Sequence, residues 1–195
     1  MLLEEGKSNF DALDKSLIPN YGVNKGGRGQ SIEKLIGLPL GSKLTDFDDG
    51  EAKSFKEDQP IKITALLHCI PELLDRSISY SESKVGKKLK NVWFIKFNKD
   101  NEFVCDHIFN KDNFRQACYD ISTDYNDCAE EFIRYYNNKE EIHTINGRNG
   151  YLQIRANANP RKDGTYKPLI YNGQQIYHCN MAFYLRNQFA REILV

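Results

Sequence analysis

Thr45-Asp46-Phe47-Asp48-Asp49-Gly50-Glu51-Ala52-Lys53 is the segment from which the architecture is most readily predicted. Asp-Gly is a strong hairpin signal, and it predicts two short strands, Thr45–Phe47 and Gly50–Lys56, around an Asp48-Asp49-Gly50 turn. Residues i and i+2 of a strand point to the same face. Side chains of the second strand should therefore alternate between the two faces, starting with Glu51.

This alternation places Glu51 and Lys53 side by side, and Asp46 can approach Glu51 across the turn. Two carboxylates are hard oxygen ligands for Mg²⁺, which keeps several of its waters in proteins. A lysine beside them can orient an attacking water or stabilise a charged transition state. The segment therefore suits phosphodiester hydrolysis. On spacing alone, a solvated acidic hairpin with a strand-edge lysine is favoured, because 28% of the residues are charged and such spacing arises readily.

Strands and helices alternate along the rest of the chain. One predicted helix, residues 29–36, is ended by Gly37 and Pro39. The long helix over 112–136 has a possible break at Ser122-Thr123-Asp124. The remaining predictions are a short helix near 9–17, strands at 61–69, 91–98, 102–109, 151–155 and 175–184, and a final short helix bearing Leu185, Phe189 and Ile193. This order predicts a single α/β or α+β domain.

Length and composition exclude several classes of protein. The 195 residues fit one globular domain, and 40% are apolar, too many for a disordered chain. No secretory signal opens the sequence, and no apolar run approaches the roughly 20 residues of a membrane span. We therefore expect a cytoplasmic protein without membrane contact. The five cysteines have no C-x-x-C spacing and the four histidines no H-E-x-x-H pattern, which argues against a disulfide framework and a zinc hydrolase.

The charge is distributed unevenly although its formal sum is zero. Residues 99–141 carry eleven acidic and five basic residues, whereas residues 142–195 carry seven basic and two acidic residues. A further basic cluster lies earlier in the chain, at residues 84–90. The chain could present one basic face to DNA, and the alternative is ordinary surface charge.

Five segments stand in one order over about residues 24–190: Asn24–Glu33, Asp46–Lys53, Ser83–Lys90, Gly150–Arg155 and Phe183–Phe189. In that order they resemble N-K-G-x-x-G-Q-x-x-E, D-F…G-x-E-x-K, S-x-V-x-x-K-L-K, Y-L-Q-I-R and F-Y-L-K-x-x-F. These are segments of the MutH family, which holds a mismatch-repair nicking enzyme and related type II restriction endonucleases that act at GATC.

The resemblance implies a PD-(D/E)xK restriction-endonuclease-like fold, with a central mixed sheet flanked by helices. It implies a catalytic part over about 24–110 and a DNA-reading part over about 142–190. Asp46 and Glu51 then correspond to the Mg²⁺ ligands and Lys53 to the catalytic lysine. Glu33 and Lys88 match further active-site residues of the family. From the residues alone, Glu33 is a surface helix acid and Lys88 a member of a solvated lysine cluster.

The resemblance also implies the residues that contact DNA. Arg155 matches an arginine at the edge of the family's recognition loop, and Tyr184 matches a tyrosine that senses methylation. The residues predicted to bind DNA are Lys25, Arg28, Gln153, Arg155, Asn157, Arg161, Lys162 and Tyr184. Among them, Lys25, Arg28 and Lys162 are expected to hold phosphates. At Asn157 the sequence departs from the family, which has a lysine there, and a mobile solvated loop is the alternative for this region.

The sequence thus predicts a Mg²⁺-dependent type II restriction endonuclease that cuts double-stranded DNA at GATC, as a monomer or a transient dimer on DNA. One alternative is a nicking endonuclease of mismatch repair, which would use the same site. The alternative from another class is a non-catalytic DNA-binding domain of a restriction enzyme.

Overall fold

The computed structural model describes residues 1–18, 25–38, 44–157 and 160–194, and for Lys25 and Gly26 it describes the backbone only. The chain forms two compact units. Unit one comprises residues 1–59, 88–114 and Leu194, and unit two comprises residues 60–87 and 115–193. Both contain helices and sheets, which confirms the predicted mixed α and β class. The prediction of a single domain stays a prediction.

The helices and strands have the following bounds in chain order. The helices are α1 (Leu3–Asp11), α2 (Lys25–Leu35), α3 (Ile70–Leu74), α4 (Lys84–Leu89), α5 (Arg115–Asn138) and α6 (Asn187–Glu192). The strands are β1 (Glu51–Lys56), β2 (Ile61–Ala65), β3 (Asn91–Phe97), β4 (Phe103–Asn110), β5 (Ile145–Asn146), β6 (Leu152–Ala156), β7 (Leu169–Tyr171), β8 (Gln174–Tyr177) and β9 (Met181–Leu185). Short 3₁₀ turns occupy 15–17, 66–68 and 80–82.

A three-stranded mixed sheet forms the centre of unit one. Its order is β1-β3-β4, with β1 and β3 parallel and β3 and β4 antiparallel. The central strand β3 is apolar on both faces, as expected for a strand covered on both sides. On one face Trp93 packs edge-on against Phe10 at 5.1 Å between ring centroids. On the other, Phe94 packs edge-on against Phe55 and Phe109. This core fixes the position of β1, which carries the candidate site.

The predicted strand Thr45–Phe47 is wrong, because these residues form bends rather than a strand. The Thr45 hydroxyl donates 2.9 Å to the Phe47 carbonyl, a local bond that competes with strand pairing. The Phe47 amide donates 2.9 Å to the Gly50 carbonyl and closes the turn. The Phe47 ring is buried in the core of unit one. The second predicted strand is confirmed as β1.

A four-stranded antiparallel sheet of order β2-β9-β6-β5 forms the centre of unit two. The long helix α5 packs against β5 and β6, with Tyr125 stacked on Phe183 at 5.8 Å between ring centroids. The core is therefore on one face of this sheet, and the other face carries polar side chains of β6 and β9.

The predicted break in the long helix at Ser122-Thr123-Asp124 is wrong, because α5 is continuous. The Ser122 and Thr123 hydroxyls donate back to the Tyr119 carbonyl at 2.7 and 3.2 Å. Asp124 is fully buried and accepts backbone N–H groups from Asn149, Tyr151 and Leu152 at 2.7 to 2.9 Å. Side chains that disfavour an isolated helix are thus satisfied by bonds inside unit two.

The predicted strand 175–184 is also wrong as one element, because it comprises β8, a break, and β9. Strand β8 pairs with β7 across a turn at Asn172-Gly173, where both residues have positive φ, 47° and 76°. Two such residues form the type I′ turn that hairpins favour. The predicted strands at 91–98, 102–109 and 151–155 and the helices at 29–36, 112–136 and the C-terminus are confirmed within a few residues, although Leu185 lies in β9 and not in the final helix. The predicted strand 61–69 is confirmed only as far as Ala65, because 66–68 form a 3₁₀ turn. Helix α1 begins six residues earlier than predicted.

Two further expectations concern cysteines and membrane spans. All five cysteines lie in described residues, and none forms a disulfide. In the part of the chain that the structure describes, no helix is both long and apolar enough to cross a membrane.

Candidate active site

Glu51, the first residue of β1, is the centre of the candidate site in unit one. Its side chain is only 2% exposed. Its Oε1 atom accepts hydrogen bonds from the Nζ atoms of Lys53, two residues along the strand, and of Lys88 on α4, the latter at 2.7 Å. Its Oε2 atom is buried and has no hydrogen-bond partner among the described residues. One oxygen of the carboxylate is thus neutralised twice, and the other is unsatisfied.

Asp46 lies beside this carboxylate, in the bend that precedes β1. Its Oδ2 atom accepts the Ala52 amide at 2.9 Å, so the backbone of β1 fixes its orientation. Burial raises the pKa of Asp46, and the negative charge of Glu51 raises it further, against the opposing effect of Lys53 and Lys88. An aspartate whose ionisation is disfavoured by burial and by a neighbouring carboxylate marks a site that a cation would stabilise.

Glu33 on α2 belongs to the same electrostatic group. Burial raises its pKa, and the charges of Asp46 and Glu51 add to this while Lys53 opposes it. Its Oε1 atom lies 3.8 Å from where a Cβ atom on Gly29 would be, one helical turn earlier. The structure therefore brings together all five residues predicted to be catalytic: Glu33, Asp46, Glu51, Lys53 and Lys88.

The donor set fits a hard divalent cation. Mg²⁺ is commonly held by one or two carboxylates, with waters and substrate phosphates completing its shell. Asp46 and Glu51 supply two carboxylates, and the partnerless Oε2 atom of Glu51 is a ligand of the right chemistry. Among the described residues, however, no three His, Cys, Asp or Glu side chains are grouped closely enough to hold a metal by themselves. Waters and phosphate would have to provide the other ligands.

Two residues in the N-terminal part of α2, Lys25 and Arg28, were predicted to hold phosphates. Arg28 is 7% exposed, lies over the Phe97 ring at 4.5 Å and donates to the Asn101 side chain. Burial lowers its pKa. This placement gives Arg28 a packing role in unit one, and its phosphate contact stays a prediction. The side chain of Lys25 lies outside the described residues.

In unit two, four residues predicted to contact DNA lie on or beside the polar sheet face. Gln153 and Arg155 lie two residues apart on β6 and therefore share a face, and Tyr184 on β9 is the register partner of Gln153. The Tyr184 hydroxyl donates 2.9 Å to Oδ1 of Asn157. The Arg155 guanidinium lies over the Tyr184 ring at 5.7 Å. Burial raises the pKa of Tyr184, and Arg155 opposes this shift.

Arg161 and Lys162 lie in a tight turn after β6 with exposed side chains. The Arg161 amide donates 2.7 Å to the Thr165 carbonyl, and Asp163 accepts both the amide and the hydroxyl of Thr165. The turn is therefore closed by its own hydrogen bonds, and it holds two cationic side chains at the surface. Their contact with DNA stays a prediction.

A surface groove beside this face brings Arg186 and Arg191, which were not predicted as site residues, close to Gln153 and Arg155, which were. The groove has a volume of about 470 Å³, and its lining includes Gln153, Arg155, Arg186, Gln188, Arg191 and Glu192. Arg186 and Arg191 contributed to the basic excess of the C-terminal part, but no spacing rule linked them to Arg155. Their proximity depends on the pairing of β6 with β9.

No protein-family model matches the chain, and no curated protein matches it either.

Proposed function

We propose that this chain is a magnesium-dependent endonuclease that hydrolyses phosphodiester bonds in duplex DNA, with the PD-(D/E)xK fold and GATC as the first site to test. The observation that carries the proposal is the environment of Glu51. This buried carboxylate accepts hydrogen bonds from two lysines on one oxygen and has no partner among the described residues on the other. Beside it, burial raises the pKa of Asp46, and the charge of Glu51 adds to that shift. The choice of duplex DNA as substrate and of GATC as the cleavage sequence rests on the resemblance of the five segments to the MutH family.

A purely structural role explains this arrangement poorly. Buried polar atoms in folded proteins are nearly always hydrogen-bonded, because an unsatisfied buried group costs roughly 1–3 kcal/mol. A buried unsatisfied polar atom beside mutually repelling carboxylates is typical of a catalytic or binding site. A mixture of carboxylates and lysines is suited to a substrate that carries negative charge and gains more during reaction.

Each residue has a defined part in the proposed chemistry. Asp46 and Glu51 would hold Mg²⁺, which when bound supplies positive charge to the phosphate and acidifies a water. Lys53 would orient the attacking water or donate to the phosphate as negative charge builds up. Lys88 would hold Glu51 in place and contact the phosphate from α4. Glu33, on α2, would add a third carboxylate to the negative charge of Asp46 and Glu51.

The test is incubation of the purified chain with supercoiled plasmid, unmethylated and methylated at GATC, with Mg²⁺ or with EDTA, followed by mapping of the DNA ends. Linear fragments that end at GATC and form only with Mg²⁺ are the expected result. The matched control is the Lys53→Ala variant, prepared in the same way, which excludes a contaminating nuclease.

The other outcomes distinguish the alternatives. Nicked circles without linear product would favour the repair-type nicking enzyme. No cleavage in any condition, together with a retarded band in a gel, would contradict the proposal and favour a non-catalytic DNA-binding domain.

A further inference from the structure

We infer that the groove lined by Arg155, Arg186 and Arg191 is a phosphate-binding groove of unit two, in which Arg186 and Arg191 hold backbone phosphates of duplex DNA. This inference deepens the proposed function and rests on it for the choice of a polynucleotide as ligand. It assigns a role to Arg186, which lies in the Phe183–Phe189 segment but was not among the residues predicted to bind DNA, and to Arg191, which lies in none of the five segments.

The charge of the groove is the first observation. Three guanidinium groups and one carboxylate, that of Glu192, contribute to its lining. The carboxylate accepts the Tyr151 hydroxyl at 2.9 Å. Within the residues that the structure describes, neither Arg155 nor Arg186 has a carboxylate within ion-pair distance. Arg148 of the same unit, by contrast, is paired with Asp127.

The placement of Arg186 is the second observation. Gly150 has φ +78°, and a Cβ atom there would lie 3.0 Å from Nη1 of Arg186 and 2.9 Å from Oε1 of Gln188. The missing side chain therefore lets Arg186 and Gln188 lie directly against the turn before β6. The Arg186 amide donates 2.8 Å to the Tyr151 carbonyl, which fixes the backbone. The Arg186 guanidinium therefore lies against the turn before β6, on a backbone that this hydrogen bond fixes.

The chemistry of the lining selects phosphate. Guanidinium groups present planar forks of donors that match phosphate oxygens, and glutamine amides add neutral donors. A strand of duplex DNA offers successive phosphates along its length, so it can engage several arginines of one groove. Because such contacts go to the backbone, they would strengthen binding on every sequence equally.

The experiment measures binding of the full chain to a duplex of random sequence in EDTA, over a range of salt concentrations, for the variants Arg186→Gln and Arg191→Gln. We expect each to bind several-fold more weakly, and the slope of log affinity against log salt to fall by about 1 for each lost phosphate contact. Arg115→Gln, which removes an exposed arginine of unit two outside the groove, should leave the slope unchanged. Arg191 is exposed, so its variant tests the groove even if Arg186→Gln impairs folding.

The contrary results are distinct. An unchanged slope in both groove variants, or an equal fall in Arg115→Gln, would overturn the inference. Pyrophosphate binding that depends on Arg186 and Arg191, without any change in DNA binding, would overturn the polynucleotide assignment and leave a small phosphate compound as the ligand. If the groove variants lose DNA binding but the wild-type chain cuts no DNA with Mg²⁺, the proposed nuclease fails while the groove inference stands.

Discussion

Lys88 donates a 2.7 Å hydrogen bond from Nζ to Oε1 of Glu51, although 37 residues separate the two in the chain. Lys53 donates to the same oxygen, so the buried carboxylate depends on two cations for its stability. Removing a partner of a buried charge leaves that charge uncompensated, which is more damaging than losing an exposed ion pair.

We therefore expect Lys88→Ala to lower the free energy of unfolding by about 2 kcal/mol in the absence of metal. Chemical denaturation monitored by circular dichroism measures this. The matched control is Lys90→Ala, an exposed lysine two residues later, which should change stability by less than about 0.5 kcal/mol. In a Glu51→Gln background the effect of Lys88→Ala should largely disappear. An undiminished effect there would mean that Lys88 stabilises the chain by another contact.

The same pair shows what sequence could and could not predict. The alternation of Glu51 and Lys53 follows from strand geometry alone. Lys88, from the residues alone, belonged to a solvated cluster, because its meeting with Glu51 depends on a long-range pairing. Strand β1 pairs in parallel with β3, which places Glu51 opposite Val92 and therefore near the end of α4. No local pattern contains that register.

Lys53→Ala should abolish cleavage while duplex binding is retained, because the proposed mechanism assigns its Nζ atom to the attacking water or to the charge of the transition state rather than to affinity. Cleavage rates and gel-shift affinities for the same preparation measure the two effects. Lys56→Ala, at the end of the same strand with its Nζ atom donating to the Lys99 carbonyl, is the control. Near wild-type cleavage by Lys53→Ala would contradict the assignment of the active site.

Asp46 should make the metal-free chain less stable as the pH rises. Its raised pKa means that the folded state binds the proton more tightly than the unfolded state. Stability is therefore highest when Asp46 is protonated, falls as the pH rises from the ordinary aspartate value to the raised one, and stays lower above it.

In EDTA, Asp46→Asn should accordingly have a higher Tm than the wild type at neutral pH, and the difference should shrink in acid. Adding Mg²⁺ should raise the Tm of the wild type and not that of the variant, because the variant lacks one of the two proposed carboxylate ligands and a cation that binds only the folded state stabilises it. The exposed Asp112→Asn serves as the control. A variant less stable than the wild type at neutral pH would contradict the assigned electrostatics.

Unit two contains a comparable buried carboxylate with a structural role. Asp124 on α5 accepts three backbone N–H groups of the turn before β6, and Gly147 leaves room for it, since a Cβ atom there would lie 2.2 Å from Asp124. We expect Asp124→Ala to destabilise the chain by roughly 3 kcal/mol or more, because three buried donors lose their acceptor. Thermal melts measure this, with Asp120→Ala on the same helix as the control. A change of less than 1 kcal/mol would show that the turn forms without Asp124.

Two other elements of unit two differ in how far sequence could reach. The Asn172-Gly173 turn carries a strong local hairpin signal and could have been predicted from those two residues. The continuity of α5 could not, because Ser122, Thr123 and Asp124 disfavour a helix unless tertiary bonds satisfy them. Tertiary structure decides where local preferences conflict. Arg155 was predicted from the sequence, but its proximity to Arg186 and Arg191 depends on the pairing of β6 with β9.

Arg155 should behave differently from the other arginines of its groove. Its guanidinium lies over the Tyr184 ring, and the Tyr184 hydroxyl donates to the Asn157 side chain. A guanidinium steadied in this way is suited to a bidentate contact with a guanine, and such a contact discriminates against the wrong base by about 1–3 kcal/mol.

We expect Arg155→Ala to weaken binding to a GATC duplex by roughly 5- to 150-fold more than binding to a scrambled duplex. Fluorescence anisotropy in a Lys53→Ala background with Mg²⁺ measures both affinities without cleavage, and Arg115→Ala is the control. An equal loss on the two duplexes would assign Arg155 to the phosphate contacts of the groove, together with Arg186 and Arg191, and would leave the reading of bases to the turn that carries Arg161 and Lys162.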